Sequence, residues 1–153
     1  MVELEREACH QRLAALGAQT ILVVQDSTSF NFAHHPQTRG LGVLDDHHSP
    51  GFCAHSSLAV SLEGVPLGLL DQQVWQRAVS QGRKRNAHQA LPITEKESFK
   101  GLKGLQNSLP ADHAWELITV CDREGDIYEL FQLAQQQGAK FIVRAGRIPC
   151  WRL

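Results

Sequence analysis

The sequence predicts an α/β fold, a mixed sheet flanked by helices. Three observations predict it. Two apolar runs, Thr20–Gln25 and Trp115–Cys121, each stop at an aspartate, as buried strands do where an open sheet presents its ligand-binding end. Between them, residues 52–75 alternate with period two around Glu63-Gly64, the pattern of a hairpin. Segments of helical period, with their own start and stop residues, lie before and after both runs.

In order, residues 3–16 form a helix with Leu4, Cys9, Leu13 and Leu16 on one stripe and Gly17 as its stop. Thr20–Val24 is the first strand, buried by its continuous apolar character and closed by Asp26-Ser27-Thr28-Ser29. Residues 31–51 form a polar loop punctuated by Gly and Pro, longer than a simple connection needs. In the hairpin, Phe52, Ala54, Leu58, Val60 and Leu62 face one way, and His55, Ser57 and Ser61 face the other. Val65, Leu67 and Leu69 resume the alternation after the turn. Residues 76–94 lose periodicity and carry Arg77, Arg83, Lys84 and Arg85, as an exposed linker does.

Thr94 and Glu97 have the spacing of a capping box for a helix from Glu95 to Leu109. Gly101 and Gly104 each weaken that helix by about 1 kcal/mol relative to alanine. After the strand Trp115–Cys121, Asp126 and Glu129 cap a helix whose apolar face is Ile127, Leu130, Phe131 and Ala134. Gly138 ends it, and Lys140–Ala145 is the last strand. Gly17-Ala18 and Gly138-Ala139 mark two similar helix-to-strand junctions, which need no tandem repeat.

Composition narrows the function classes. The 153 residues make one domain, 42% hydrophobic and 20% charged, ordinary for a soluble globular protein. A net charge of −1 argues against a self-sufficient nucleic-acid binder, so any DNA contact must come from local clusters. No apolar run approaches the ~20 residues of a membrane span, and no signal peptide opens the chain. The cysteines, Cys9, Cys53, Cys121 and Cys150, form no C-x-x-C pair. Three of them sit in apolar surroundings, as reduced, buried thiols of a cytoplasmic protein do.

Asp26 and Asp122 are the leading candidates, since two carboxylates raised on strand ends suit hard divalent cations; the plainer role for each is a cap or turn. Arg123 beside Asp122 meets either a phosphate or a surface ion pair. Arg144, on the last strand, is either a phosphate clamp or an edge residue. Lys96 and Lys100 stand four apart on one helix face, either solvated or turned to DNA. Ser27, Thr28 and Ser29 suit a water or a phosphate, and His55 faces solvent or DNA. Asp45-Asp46-His47-His48, like His34 and His35, reads as polar loop, because adjacent residues seldom converge on one metal and no spaced partner supports them. No Ser-His-Asp spacing and no Gly-rich phosphate loop is present.

Six motifs then occur in a telling order. They are Asp26-Ser27-Thr28-Ser29, Gly40-Leu41-Gly42, His55-Ser56-Ser57-Leu58, Leu67-Gly68-Leu69-Leu70 with Trp75, Glu95-Lys96-Glu97-Ser98, and Cys121-Asp122-Arg123-Glu124-Gly125-Asp126-Ile127. Phe141-Ile142-Val143-Arg144 stands behind them. From about Thr20 to Arg147 the chain resembles the bacterial insertion-sequence transposases of family four, the Tyr-Arg-Glu-Lys (Tn-five-like) branch. The resemblance implies a ribonuclease-H-like sheet, incomplete at both ends, with a leading helix over 1–19 and a partial catalytic domain over 20–153. It implies DNA cleavage and strand transfer by a DDE set, with Asp26 and Asp122 binding Mg²⁺, or Mn²⁺ in its place, and Asp26 bridging both ions. Lys96, Lys100, Arg123 and Arg144 are the implied DNA contacts. Transposon ends, target DNA and a homodimer or intact transposase are the implied partners, in the bacterial cytoplasm at the nucleoid.

Three departures qualify the resemblance. Lys100 is followed by Gly101 where the family has a basic residue and tryptophan, the N-terminal DNA-recognition region is absent, and residues 145–153 contain no acid to serve as the third carboxylate. The expectation is therefore a catalytic segment inactive alone. The alternatives are a non-enzymatic partner or inhibitor of intact transposase, and a stand-alone nuclease that takes its third acid from Asp71 or Glu97.

Overall fold

The computed structural model describes residues 2–17, 19–46, 48–77, 92–109 and 115–146. Helix α1 (Val2–Leu16) leads into strand β1 (Thr20–Asn31), the short β2 (Gly42–Val43), and the hairpin of β3 (Pro50–Ser61) and β4 (Pro66–Trp75). A 3₁₀ turn (Ile93–Glu95) precedes α2 (Phe99–Ser108), and β5 (Glu116–Cys121) follows. A second 3₁₀ turn (Arg123–Gly125), α3 (Tyr128–Gln137) and β6 (Lys140–Val143) complete the order. The six strands form one mixed sheet in the order β2-β3-β1-β5-β6, with β4 also paired to β3. β1 is central, antiparallel to β3 and parallel to β5, and β6 runs parallel to β5. No described helix is long and apolar enough to cross a membrane.

The helices collect on one face. α1 buries Cys9 and Leu13 against Ile21, Val23, Ala59, Leu67, Leu70 and Leu117. α2 and α3 bury Leu102, Leu105, Leu130 and Ala134 around Cys121. Each fully buried leucine among these contributes about 1.5–3 kcal/mol. On β1, β3 and β5 every residue in these two clusters is odd-numbered. Side chains alternate along a strand and registered partners share a face, so the even-numbered residues of these strands occupy the other side.

This explains where the hairpin departs from expectation. The alternation in β3 is present, but the helices cover the side predicted to be polar. Cys53, His55, Ser57, Ala59 and Ser61 are buried, Leu58 and Val60 are half-buried, and Leu62 is exposed. Small side chains admit close helix approach, and that outweighs hydrophobicity here. α1 crosses β4 at Gly68, whose φ of 137° suits glycine, and a Cβ there would lie 3.0 Å from Cys9 Cβ. Arg12 Nη1 donates to the Leu67 carbonyl at the same crossing (2.9 Å). The α1 stripe is correspondingly narrower than expected: Leu4 is 71% exposed and Leu16 lies outside the core.

Other boundaries move for identifiable reasons. β1 does not stop at Asp26, because β3 supplies antiparallel partners as far as Asn31↔Gly51. The 31–51 loop therefore shrinks, and it contains β2, paired to the start of β3. Arg77 is not in an exposed linker. Its backbone bridges Val43, and its guanidinium pairs with Asp45 and Glu97 at 2.6 Å each. Arg83, Lys84, Arg85, His47 and Cys150 lie outside the described residues.

The predicted capping boxes do not form. α2 begins at Phe99, not Glu95, and its first turn has no side-chain cap. Thr94 sits inside the preceding 3₁₀ turn, and Glu97 is drawn away to Arg77 and to Trp75 Nε1 (2.8 Å). Lys96 consequently lies before the helix that carries Lys100, so the two do not share a helix face. Asp126 does not cap α3, which starts uncapped after Ile127; its Oδ2 accepts from Gly146 N instead (2.6 Å). Gly138 closes α3 in the left-handed conformation as expected. β6 ends at Val143, so Arg144 stands just past the strand.

Candidate functional site

The sheet divides at one place. β1 and β5 pair in register until Gln25↔Cys121, after which β5 leaves into the Arg123–Gly125 turn while β1 runs on beside β3. Gln25 and Cys121 are both buried on the helix-covered side. The next residue on each strand is an aspartate, Asp26 and Asp122, and Asp122 is still extended (φ −78°, ψ −162°). Both aspartates therefore stand at the end of the sheet, where neighbouring strands about 4.8 Å apart diverge. Both are exposed, and both line a single shallow cleft with Ser27, Lys100 and Glu124. The solvent-sized space in that cleft is about 20 Å³, room for a water or an ion rather than a nucleotide base.

Asp122 has a local task as well. Its Oδ1 accepts from Glu124 N (2.8 Å), capping the 3₁₀ turn, while a carboxylate's other oxygen has free lone pairs. The turn is tight because Gly125 sits over Cys121, where a Cβ would approach Cys121 Cβ to 2.5 Å. Burial and then the neighbouring Asp122 push the Cys121 thiol up to about 11, which keeps it protonated and poorly nucleophilic.

Beside the two aspartates runs a connected set of side chains that sequence reasoning did not join. Lys100 Nζ pairs with Glu124 Oε2 at 2.7 Å. Ser27 Oγ donates to the same oxygen at 3.2 Å and lies 3.0 Å from His55 Nδ1. Ser27 has one proton, and when Glu124 takes it His55 must carry its own proton on Nδ1. That leaves His55 Nε2 as a buried acceptor with no partner among the described residues; the Gln25 Nε2 donor and the Ser57 hydroxyl nearby are likewise unpartnered there. His55 is thus buried rather than facing solvent or DNA. Burial holds its pKa below the usual histidine value, and Lys100 acts in the same direction, against Glu124, Asp71 and Asp26. Glu124 is held below the ordinary carboxylate range, first by its hydrogen bond to Lys100. Trp75 completes the set, with the Lys100 ammonium 5.4 Å from its ring centroid.

The remaining candidates divide. Arg144 N donates to the Cys121 carbonyl (3.1 Å), which brings that arginine to the same sheet end as Asp122, and its side chain is exposed. Arg123 is exposed in the turn itself. Lys96 lies on the approach to α2, and among the described residues no carboxylate pairs with Lys96, Arg123 or Arg144. Asp71 belongs to the helix-covered face, registered with Ser57, and accepts from Asn107 Nδ2 and Gln73 Nε2, both at 3.0 Å. Glu97 is committed to Arg77 and Trp75. Neither lines the aspartate cleft. In the Asp45–His48 loop, Asp46 accepts from His48 N and Ser49 N, and these bonds with the Ser49 hydroxyl lower its pKa to about 2; this is turn chemistry.

Two exposed carboxylates on one cleft fit a hard cation that keeps most of its waters. Among the described residues no group of three His, Cys, Asp or Glu side chains converges as a metal site. No protein-family model matches the chain.

Proposed function

We propose that this chain is a catalytic-core segment of a DDE transposase, with Asp26 and Asp122 as two of its three metal-binding acids. The observation that carries the proposal is the register at the sheet division. One step past Gln25↔Cys121, each neighbouring segment carries an exposed aspartate, and both line one cleft. The sheet order supports it too. Apart from the short β2, the strands run β4-β3-β1-β5-β6, an antiparallel hairpin on one side of β1 and two parallel strands on the other. This order is compatible with a ribonuclease-H-like core.

A divalent cation bound there supplies Lewis-acid stabilisation of phosphorus chemistry and activates a water or a 3′-hydroxyl. The chain's own part is to hold the two carboxylates at the rim of one cleft, Asp26 on β1 and Asp122 just past the end of β5. Arg123 and Arg144 add positive charge at the same sheet end, where a DNA backbone needs it. With two convergent acids, the chain binds metal weakly and does not join DNA strands alone, since losing one member of a cooperating set removes most of the rate.

Mn²⁺ titration followed by calorimetry or electron paramagnetic resonance tests this. The expected result is weak binding that Asp26→Asn and Asp122→Asn each reduce at least tenfold, with no strand transfer by the unaltered chain. Mn²⁺ affinity indifferent to both substitutions would refute the assignment. A second reading, a non-enzymatic partner of intact transposase, draws on the absence of a third converging acid among the described residues. Co-purification with the intact enzyme would favour it.

A further inference from the structure

The Lys100–Glu124 pair is asymmetric. The Lys100 side chain is 13% exposed and that of Glu124 is 60% exposed. The cation is the fixed member: its ammonium lies over the Trp75 ring, and Trp75 is itself held by Glu97 through Nε1. The anion is the removable one, on a three-residue turn open to solvent. Ser27 Oγ supplies a second donor to the same carboxylate oxygen, and Ser27 is backed by the buried His55. A half-buried ammonium must keep an anionic partner, but nothing in this arrangement requires that partner to be Glu124.

We propose that Lys100 and Ser27 form an anion-binding subsite for a phosphate oxygen, occupied at rest by the Glu124 carboxylate. A phosphate-bearing ligand takes the two donors and releases Glu124 into solvent, where it lies two residues from Asp122 and beside the aspartate cleft. The geometry suits the exchange. The donors converge on one oxygen at 2.7 and 3.2 Å, as they would on a phosphate oxygen. Displacing an exposed carboxylate from an ion pair forfeits little, because such pairs are only weakly stabilising. Lys100, Ser27 and both aspartates line the same cleft, so an anion here stands beside the proposed cation site. The inference rests on reading this cleft as a phosphate-handling site, but its phosphate and duplex titrations are run without metal.

The test is a titration of the chain in EDTA with inorganic phosphate, followed by ³¹P NMR, and in parallel with a fluorescent DNA duplex followed by anisotropy. The unaltered chain should bind phosphate weakly. Glu124→Gln should tighten binding by about twofold to fivefold, by removing the resident competitor. Lys100→Met should abolish that gain, Lys100→Arg should retain it, and Ser27→Ala should reduce it. Lys100→Arg keeps the result interpretable should Lys100→Met fail to fold. Tightening in the phosphate arm alone identifies free phosphate as the ligand, and tightening in the duplex arm identifies a phosphodiester. Unchanged or weaker binding by Glu124→Gln in both arms overturns the subsite. Loss of Mn²⁺ binding in the Asp26→Asn protein with phosphate exchange intact would separate the two sites, and Mn²⁺ binding insensitive to the aspartates would defeat only the metal assignment.

Discussion

Gly101 and Gly104 occupy the same helix, and helix propensity alone predicts the same gain from replacing either with alanine, about 1 kcal/mol. The tertiary structure separates them. A Cβ on Gly101 would lie 3.7 Å from Gln25 Oε1, ordinary contact, so the full gain should appear. A Cβ on Gly104 would lie 2.9 Å from Gln25 Nε2 and 3.1 Å from Ser57 Oγ, too close on both counts. Gln25 and Ser57 are buried, and Cys121 Sγ contacts Gln25 Oε1 at 3.5 Å, so neither neighbour can swing into solvent. Overpacking of this kind costs about 1–3 kcal/mol. Set against the propensity gain, Gly104→Ala should be neutral to about 2 kcal/mol destabilising. The measurable quantity is the difference between the two proteins: Gly101→Ala should exceed Gly104→Ala by about 1–3 kcal/mol in urea unfolding followed by circular dichroism. At about 2–4 °C per kcal/mol, this separates their melting temperatures by several degrees. Equal stabilisation by both would show that α2 does not press on Gln25 and Ser57, and would undo the account of how Lys100 is held at the cleft.

Two further outcomes follow from buried titratable groups. The folded state disfavours protonated His55, so below the unfolded histidine value of about 6.5 the unfolded chain takes up a proton that the folded chain resists. Stability should therefore fall as pH drops from about 6.5 toward the folded pKa, and His55→Gln should flatten that part of the urea-midpoint profile; an unchanged profile would mean that His55 is not the group responsible. Cys9, Cys53 and Cys121 are buried, and the Cys9 and Cys121 thiols are raised chiefly by burial. Alkylation by iodoacetamide at pH 8, mapped by mass spectrometry, should be slow at all three until urea unfolds the chain, and fast labelling of Cys121 in the native protein would contradict its placement.

The sequence by itself determined the three helices and the longer strands, because each is written in local chemistry. The largely β-branched run at Thr20–Val24, the alternation on either side of Glu63-Gly64, and the glycine stops at Gly17 and Gly138 depend only on neighbours in the chain. It also determined that Asp26 and Asp122 each follow an apolar strand segment. What only the tertiary structure decided was which face the helices cover and which side chains meet there. Alternation in β3 separates His55 and Ser57 from Leu58 and Val60 but carries no sign, and close approach at Gly68 and Gly104 turned the polar side inward. The linking of Ser27, His55, Lys100 and Glu124 likewise joins positions up to 97 residues apart. Local propensity cannot encode such a meeting, because it depends on strand register and on the packing of α2. Register also brought both aspartates to the same sheet end, each one step past the Gln25↔Cys121 pair.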